Sequence, residues 1–103
     1  MSDYMRLEEI AKLLDGLGHP LRLRIVALLA EEGRPMYLNE IARSLGVSRG
    51  LAKIHLKKLE KAGIVKSRLV IDEERGKALR FYELLPFELH VSPESIRGWL
   101  DGE

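Results

Sequence analysis

Between Leu45 and Gly50 the run LGVSRG parts two segments that both read as helix, LNEIARSL before it and LAKIHLKKLEKAG after it. Two glycines and a Val-Ser pair in a stretch so rich in Ala, Leu, Lys and Glu make either a loop of no consequence or a sharp corner that aims the second helix, and the rest of the sequence favours the corner. Two helices that cross steeply through a turn of about three or four residues form a helix-turn-helix. Gly46 can take the left-handed backbone conformation of such a turn at little cost. Ala42 is small enough for close approach, and Val47 can plug the angle. Ser48 can cap the second helix by accepting a hydrogen bond from its first turn.

The flanking segments supply the rest of a small domain. Leu7, Ile10, Leu14 and Leu17 follow the spacing of one helical stripe, so residues 3–17 read as an amphipathic helix. Gly16, Gly18 and His19-Pro20 end it. Pro20 opens a second helix, since its missing N–H would lack a partner in a first turn anyway. Leu21, Ile25, Leu28 and Leu29 form the inward face of that helix, and Gly33 is its stop. Residues 34–37 read as extended, with room for one small strand. LNEIARSL is a third helix, with Leu38, Ile41, Ala42 and Leu45 apolar.

After Gly63 the hydrophobic period shortens from helical to alternating. In IVKSRLVI, the residues Val65, Ser67, Leu69 and Ile71 share the side expected to face inward. In ALRFYELL, that side carries Leu79, Phe81 and Leu85, with Arg80 and Tyr82 opposite. DEERGK between them is the turn of a β-hairpin. Pro86 ends it, PFELHV reads as extended, and Ser92-Pro93-Glu94 starts a last helix that buries some of Ile96, Trp99 and Leu100. Helices followed by a two-stranded hairpin make a winged helix-turn-helix: mainly α with a small β-hairpin wing. One domain is expected over 1–103, with an N-terminal helix at 3–17, a core at 19–85 whose wing spans about 64–85, and an extension with a helix at 86–103.

Charge is distributed unevenly along this framework. Between Arg43 and Arg68 stand eight basic residues and a single acid, Glu60; elsewhere nine basic residues face fifteen acidic ones. A local basic patch on a chain of net charge +1 points to a polyanionic partner, although a solvated helix face can also carry a lysine run. On the helical wheel of residues 48–62, Ala52, Leu56 and Leu59 fall together with His55 beside them. Arg49, Lys53, Lys57, Lys58 and Lys61 lie to the sides or opposite, and Ile54 sits among the lysines. The lysines would neutralise phosphates without reading sequence. Arg49, at the helix start, can reach a guanine edge with two bonds, and Ile54 can touch a thymine methyl, unless it is merely a lone exposed isoleucine. Leu51 lies on the boundary of the two faces. Ser48 and the first-turn N–H groups can hold a phosphate, and Arg43 can brace the DNA backbone from the preceding helix.

With these residues in place, IARSLGVSRGLAKIHLKKLEKAGIVKSR resembles the ArsR-type and related archaeal winged-helix transcriptional regulators. The matching features are Ile41-Ala42, Leu45-Gly46-Val47-Ser48, His55-Leu56-Lys57-Lys58-Leu59 and Ala62-Gly63-Ile64-Val65. Upstream, GHPLRLRIVALL is similar to the family's first core helix, so the likeness covers residues 17–85. It implies a DNA-binding transcriptional regulator and a homodimer built from the first and last helices, here residues 3–17 and 93–101. The stripe Leu7, Ile10, Leu14, Leu17 and the residue Trp99 suit that surface, or equally packing onto the chain's own core. Three departures stand out. The thiolate pair of metal-sensing members falls on Tyr37 and Asn39, so that sensor is absent. The hairpin tip is acidic, leaving Arg75 and Lys77 to touch phosphate. Leu51 and Ile54 stand where polar residues are more usual.

Other chemistry is thinly supported. There is no cysteine, hence no disulfide or thiolate metal site. His19, His55 and His90 form no spaced pair: His55 reads as a core or boundary residue and His19 as structural, while His90 could join acids of the last helix across a dimer. Glu8-Glu9, Glu31-Glu32 and Glu73-Glu74 are adjacent pairs that diverge on a helix, and no phosphate loop or nucleophile motif occurs. No enzyme activity, cofactor or metal is expected. No apolar run reaches the length of a membrane span and the N-terminus lacks a signal peptide's features, so a cytoplasmic protein is expected. Absence of Thr and Gln, one Asn and 32% charged residues match the drift of hyperthermophile proteins. The expected partner is double-stranded DNA, with no membrane partner. The competing class is a protein-interaction adaptor on the same fold, or a nonspecific architectural DNA-binding protein.

Overall fold

The computed structural model describes residues 6–101. Its first helix, α1 (Leu7–Leu17), ends at Leu17 as expected and carries Gly16 inside its last turn; the expected start at residue 3 lies outside the described residues. The glycine serves a close approach. A β-carbon on Gly16 would stand 2.5 Å from the Ala62 methyl and 2.9 Å from Ile64 Cδ1, so only glycine lets α1 rest on the chain at that point. The second helix, α2 (Pro20–Glu32), is capped by His19, whose Nδ1 accepts the Leu21 N–H at 3.0 Å. It stops as expected at Gly33.

A two-residue strand, β1 (Met36–Tyr37), leads into α3 (Leu38–Leu45). The Glu40 carboxylate accepts the Tyr37 N–H at 3.1 Å and pairs with Arg34 at 3.0 Å, bracing the start of α3. Its partner Arg34 holds this carboxyl below the usual range. The corner is as the sequence predicts. Gly46 is left-handed (φ 67°, ψ 34°), the Val47 N–H donates to the Ala42 carbonyl at 3.0 Å, and Ser48 caps α4 (Arg49–Lys61) by accepting the Leu51 N–H at 3.1 Å.

The hairpin strands β2 (Val65–Asp72) and β3 (Lys77–Leu84) join β1 in an antiparallel sheet of order β1-β3-β2. The phase of β3 differs from expectation: Tyr82 is buried in the core, while Leu79 and Phe81 lie on the opposite side. Register explains this. Val65 faces Leu84 and Ser67 faces Tyr82, and residues directly opposite share a side of the sheet. Phe81 stacks instead on Tyr37, ring centroids 5.7 Å apart. On β2 the expected side is right, yet Leu69 and Ile71 are 54% and 62% exposed, because the outer hairpin extends past the body.

Ile25, Met36, Ile41, Leu56, Leu59, Ile64, Val65 and Tyr82 make the centre of the core. The last helix, α5 (Pro93–Asp101), begins at Ser92, whose Oγ accepts the Ser95 N–H. Contrary to expectation it buries none of its side chains: Ile96 and Leu100 are exposed and Trp99 is half-buried. With the wing and α5 both reaching outward, the radius of gyration is 16.0 Å, against about 13 Å for a compact chain of this size.

Candidate nucleic-acid interface

The core takes one face of α4 and leaves the other free. Ala52, His55, Leu56 and Leu59 are buried, which turns Arg49, Lys53, Lys57, Lys58 and Lys61 to solvent with Ile54 (55% exposed) and Leu51. Arg43 on α3 and Ser48 at the corner are exposed as well. Among the described residues, none of the six basic side chains forms an ion pair. The only acid of the basic segment, Glu60, is engaged by the Ser67 hydroxyl, which donates to Oε2 at 2.7 Å.

The wing is different in character. Asp72, Glu73 and Glu74 crowd its tip, and Arg75 is drawn to Asp72 (Nε to Oδ2, 3.6 Å). Lys77 is exposed opposite Asp72. Nearer the body, a cleft separates the first turns of α4 from the inner face of the wing. Arg49 and Lys53 line it from the helix, Leu69, Ala78 and Arg80 from the strands, and Tyr82 from below. Burial raises the Tyr82 phenol above its ordinary pKa.

Behind α4 lies a polar anchor that the sequence reading missed. Arg22, buried on α2, donates from Nε to the Gly16 carbonyl at 2.7 Å and from Nη2 to the Asp15 carbonyl at 3.4 Å. Its Nη1 meets His55 Nδ1 at 3.0 Å, which requires an imidazole that accepts there and carries its proton on Nε2. The His19 ring stands 4.4 Å from that of His55. Burial, helped by His19, Arg22 and Lys58, holds the His55 imidazole below its ordinary range. One guanidinium thus ties the end of α1 to the inner side of α4. The signal was present: Arg22 falls in the helical spacing of Ile25 and Leu29.

Of the stripe Leu7, Ile10, Leu14, Leu17, Ile10 is covered by its own chain and Leu17 packs against the core, while Leu7 and Leu14 stay half-buried; Leu13, outside the stripe, is buried in the core. Tyr37 is occupied by Phe81, and Asn39 is exposed. Among the described residues no three His, Cys, Asp or Glu side chains converge to hold a metal ion, those around His90 included. Among the same residues no helix is long and apolar enough to cross a membrane.

Comparison with known proteins agrees with this geometry. Residues 19–67 match the bacterial regulatory protein arsR family. An uncharacterized HTH-type transcriptional regulator of Methanocaldococcus jannaschii is 32% identical over 96% of this chain and its own full length. Among solved structures, a transcriptional regulator homologue from Pyrococcus horikoshii superposes with a TM-score of 0.63 at 26% identity, covering 93% of each chain. A homodimeric winged helix-turn-helix DNA-binding domain from Mycobacterium bovis, a possible ArsR-family regulator, gives a TM-score of 0.63 at 22% identity over 93% of this chain and 76% of that one.

Proposed function

Since this chain belongs to the ArsR-type family of winged helix-turn-helix transcriptional regulators, we propose that it binds double-stranded DNA sequence-specifically as a homodimer, with α4 in the major groove. The observation that carries this reading is the exposed face of α4, where Arg49, Lys53, Lys57, Lys58 and Lys61 surround Ile54 and have no ion-pair partner among the described residues. Lys53, Lys57, Lys58 and Lys61 neutralise phosphates, and Arg43 and Ser48 hold the backbone beside them. Arg49 and Ile54 supply base contacts, a guanine edge and a thymine methyl. The wing meets the flanking backbone, with Lys77 better placed than the already paired Arg75. The dimer forms through the outer side of α1 around Leu7 and Leu14 together with the uncovered α5 around Trp99. The role is regulatory rather than enzymatic, and the whole chain acts as one domain.

Fluorescence anisotropy of labelled duplexes tests this, with the gene's own upstream region against a scrambled control at low and high salt. Tight binding that prefers the upstream region and weakens steeply with salt supports the reading. Equal, salt-sensitive binding to both duplexes replaces it with a nonspecific or architectural DNA binder. No binding at low salt overturns it in favour of a protein adaptor, for which the exposed Leu51, Ile54, Leu69 and Ile71 and the acidic wing tip would be the docking features.

A further inference from the structure

The cleft between α4 and the wing is cationic from both walls. Arg49 and Lys53 enter it from the helix and Arg80 from β3, and no carboxylate lines it. Three positive groups around one cleft repel each other, and an anion seated between them relieves that repulsion.

Arg80 is also oriented. Its Nη1 donates to Ser67 Oγ at 3.1 Å, and the hydrogen of that hydroxyl goes to Glu60 Oε2 at 2.7 Å. Glu60 thereby fixes which way the Ser67 lone pairs face, and Ser67 fixes the guanidinium. Pinning the wing to the last turn of α4 needs only the Ser67–Glu60 bond. The added arginine brings a further cation, with no carboxylate partner among the described residues and most of its five N–H donors uncommitted.

We propose that Arg80, held by Ser67 and Glu60, clamps one backbone phosphate of duplex DNA against Lys53 in this cleft, so that the wing grips DNA nearer the body as well as through Lys77. The proposal rests on the DNA-binding reading above. It accounts for a wing whose tip is acidic and whose Arg75 is occupied by Asp72. The phosphate lies where the strand passes from the major groove, read by α4, toward the wing. Ser67 and Glu60 are positioning residues, and Arg80 touches the ligand.

The test is anisotropy with a labelled mixed-sequence duplex across about 50–200 mM salt, for wild type, Arg80→Gln, Arg80→Lys and Ser67→Ala. Removing one phosphate contact flattens the slope of log affinity against log salt by about 0.9. Arg80→Gln is therefore expected to show that flattening and about ten-fold weaker binding at low salt, with an unchanged thermal midpoint because the side chain is exposed. Arg80→Lys keeps the charge and retains the slope. Ser67→Ala weakens binding less than Arg80→Gln. A wild-type slope in Arg80→Gln overturns the proposal while leaving DNA binding intact. Failure of the wild type to bind any duplex overturns the DNA reading itself, and the phosphate clamp with it.

Discussion

Two residues decide how α1 meets the rest of the chain. Gly16 allows contact with Ala62, and Arg22 closes the joint by donating to the Gly16 and Asp15 carbonyls while reaching His55. Alanine at position 16 would gain up to about 1 kcal/mol of helix propensity, yet its methyl has no room, and overpacking costs about 1–3 kcal/mol. Gly16→Ala is therefore expected to destabilise the fold by about 1 kcal/mol, read from the urea midpoint. Arg22→Leu keeps the bulk but strands two buried acceptors, each worth about 1–3 kcal/mol when unsatisfied. Its expected loss is about 2–4 kcal/mol, and the same substitution in a His55→Leu background should cost measurably less, because one of the stranded groups is then gone. The helical spacing marks Arg22 as inward-facing, but not its partners. Gly16 looks like a helix stop, and Arg22 finds His55 33 positions away.

At the level of elements, the junction of α2 with α4 carries a pH dependence. The neutral His55 is the form that fits, and its pKa in the fold lies below the ordinary value of 6.5. The unfolded chain then takes up the proton first. The stabilisation is present in full above about pH 6.5 and is lost as pH falls from there through the lower folded value. His19 and Arg22 face the imidazole from the α2 side and Lys58 from its own helix, and all oppose the charge. Urea unfolding followed from neutral to mildly acid pH should show a decline that is shallower in His55→Gln, whose amide oxygen can still accept from Arg22. The helices are legible in the sequence because their ends are chemically marked: His19-Pro20, Gly33, Gly46 and Ser48 each cap or stop one. The phase of β3 is not. Apolar residues stand on both of its sides, Leu79 and Phe81 against Tyr82 and Leu84, and only pairing with β2 and β1 chooses between them. Of the interface, the basic face of α4 is legible because one helical period displays it. The Glu60–Ser67–Arg80 relay is hidden because it joins three elements.

For the whole molecule, α5 is the conspicuous exception to burial. It leaves Ile96 and Leu100 exposed and Trp99 only half-buried. Replacing Trp99 with Ala and Leu100 with Lys is expected to shift sedimentation toward the protomer. It should also change the unfolding midpoint of dilute protein by less than about 0.5 kcal/mol, the usual range for surface sites. A large loss of stability at concentrations too low for association would instead mean that α5 packs internally. Of the two helices proposed to meet a partner, α1 is held against the helix proposed to enter the groove by the Gly16–Ala62 contact and the Arg22 guanidinium. In a symmetric pair the two reading helices therefore become the jaws of a caliper with a preset opening. One base pair added between half-sites turns the second jaw by about 35° around the duplex. Such a protein has no slack with which to follow, so the distance between half-sites would discriminate among binding sequences as strongly as the bases within them.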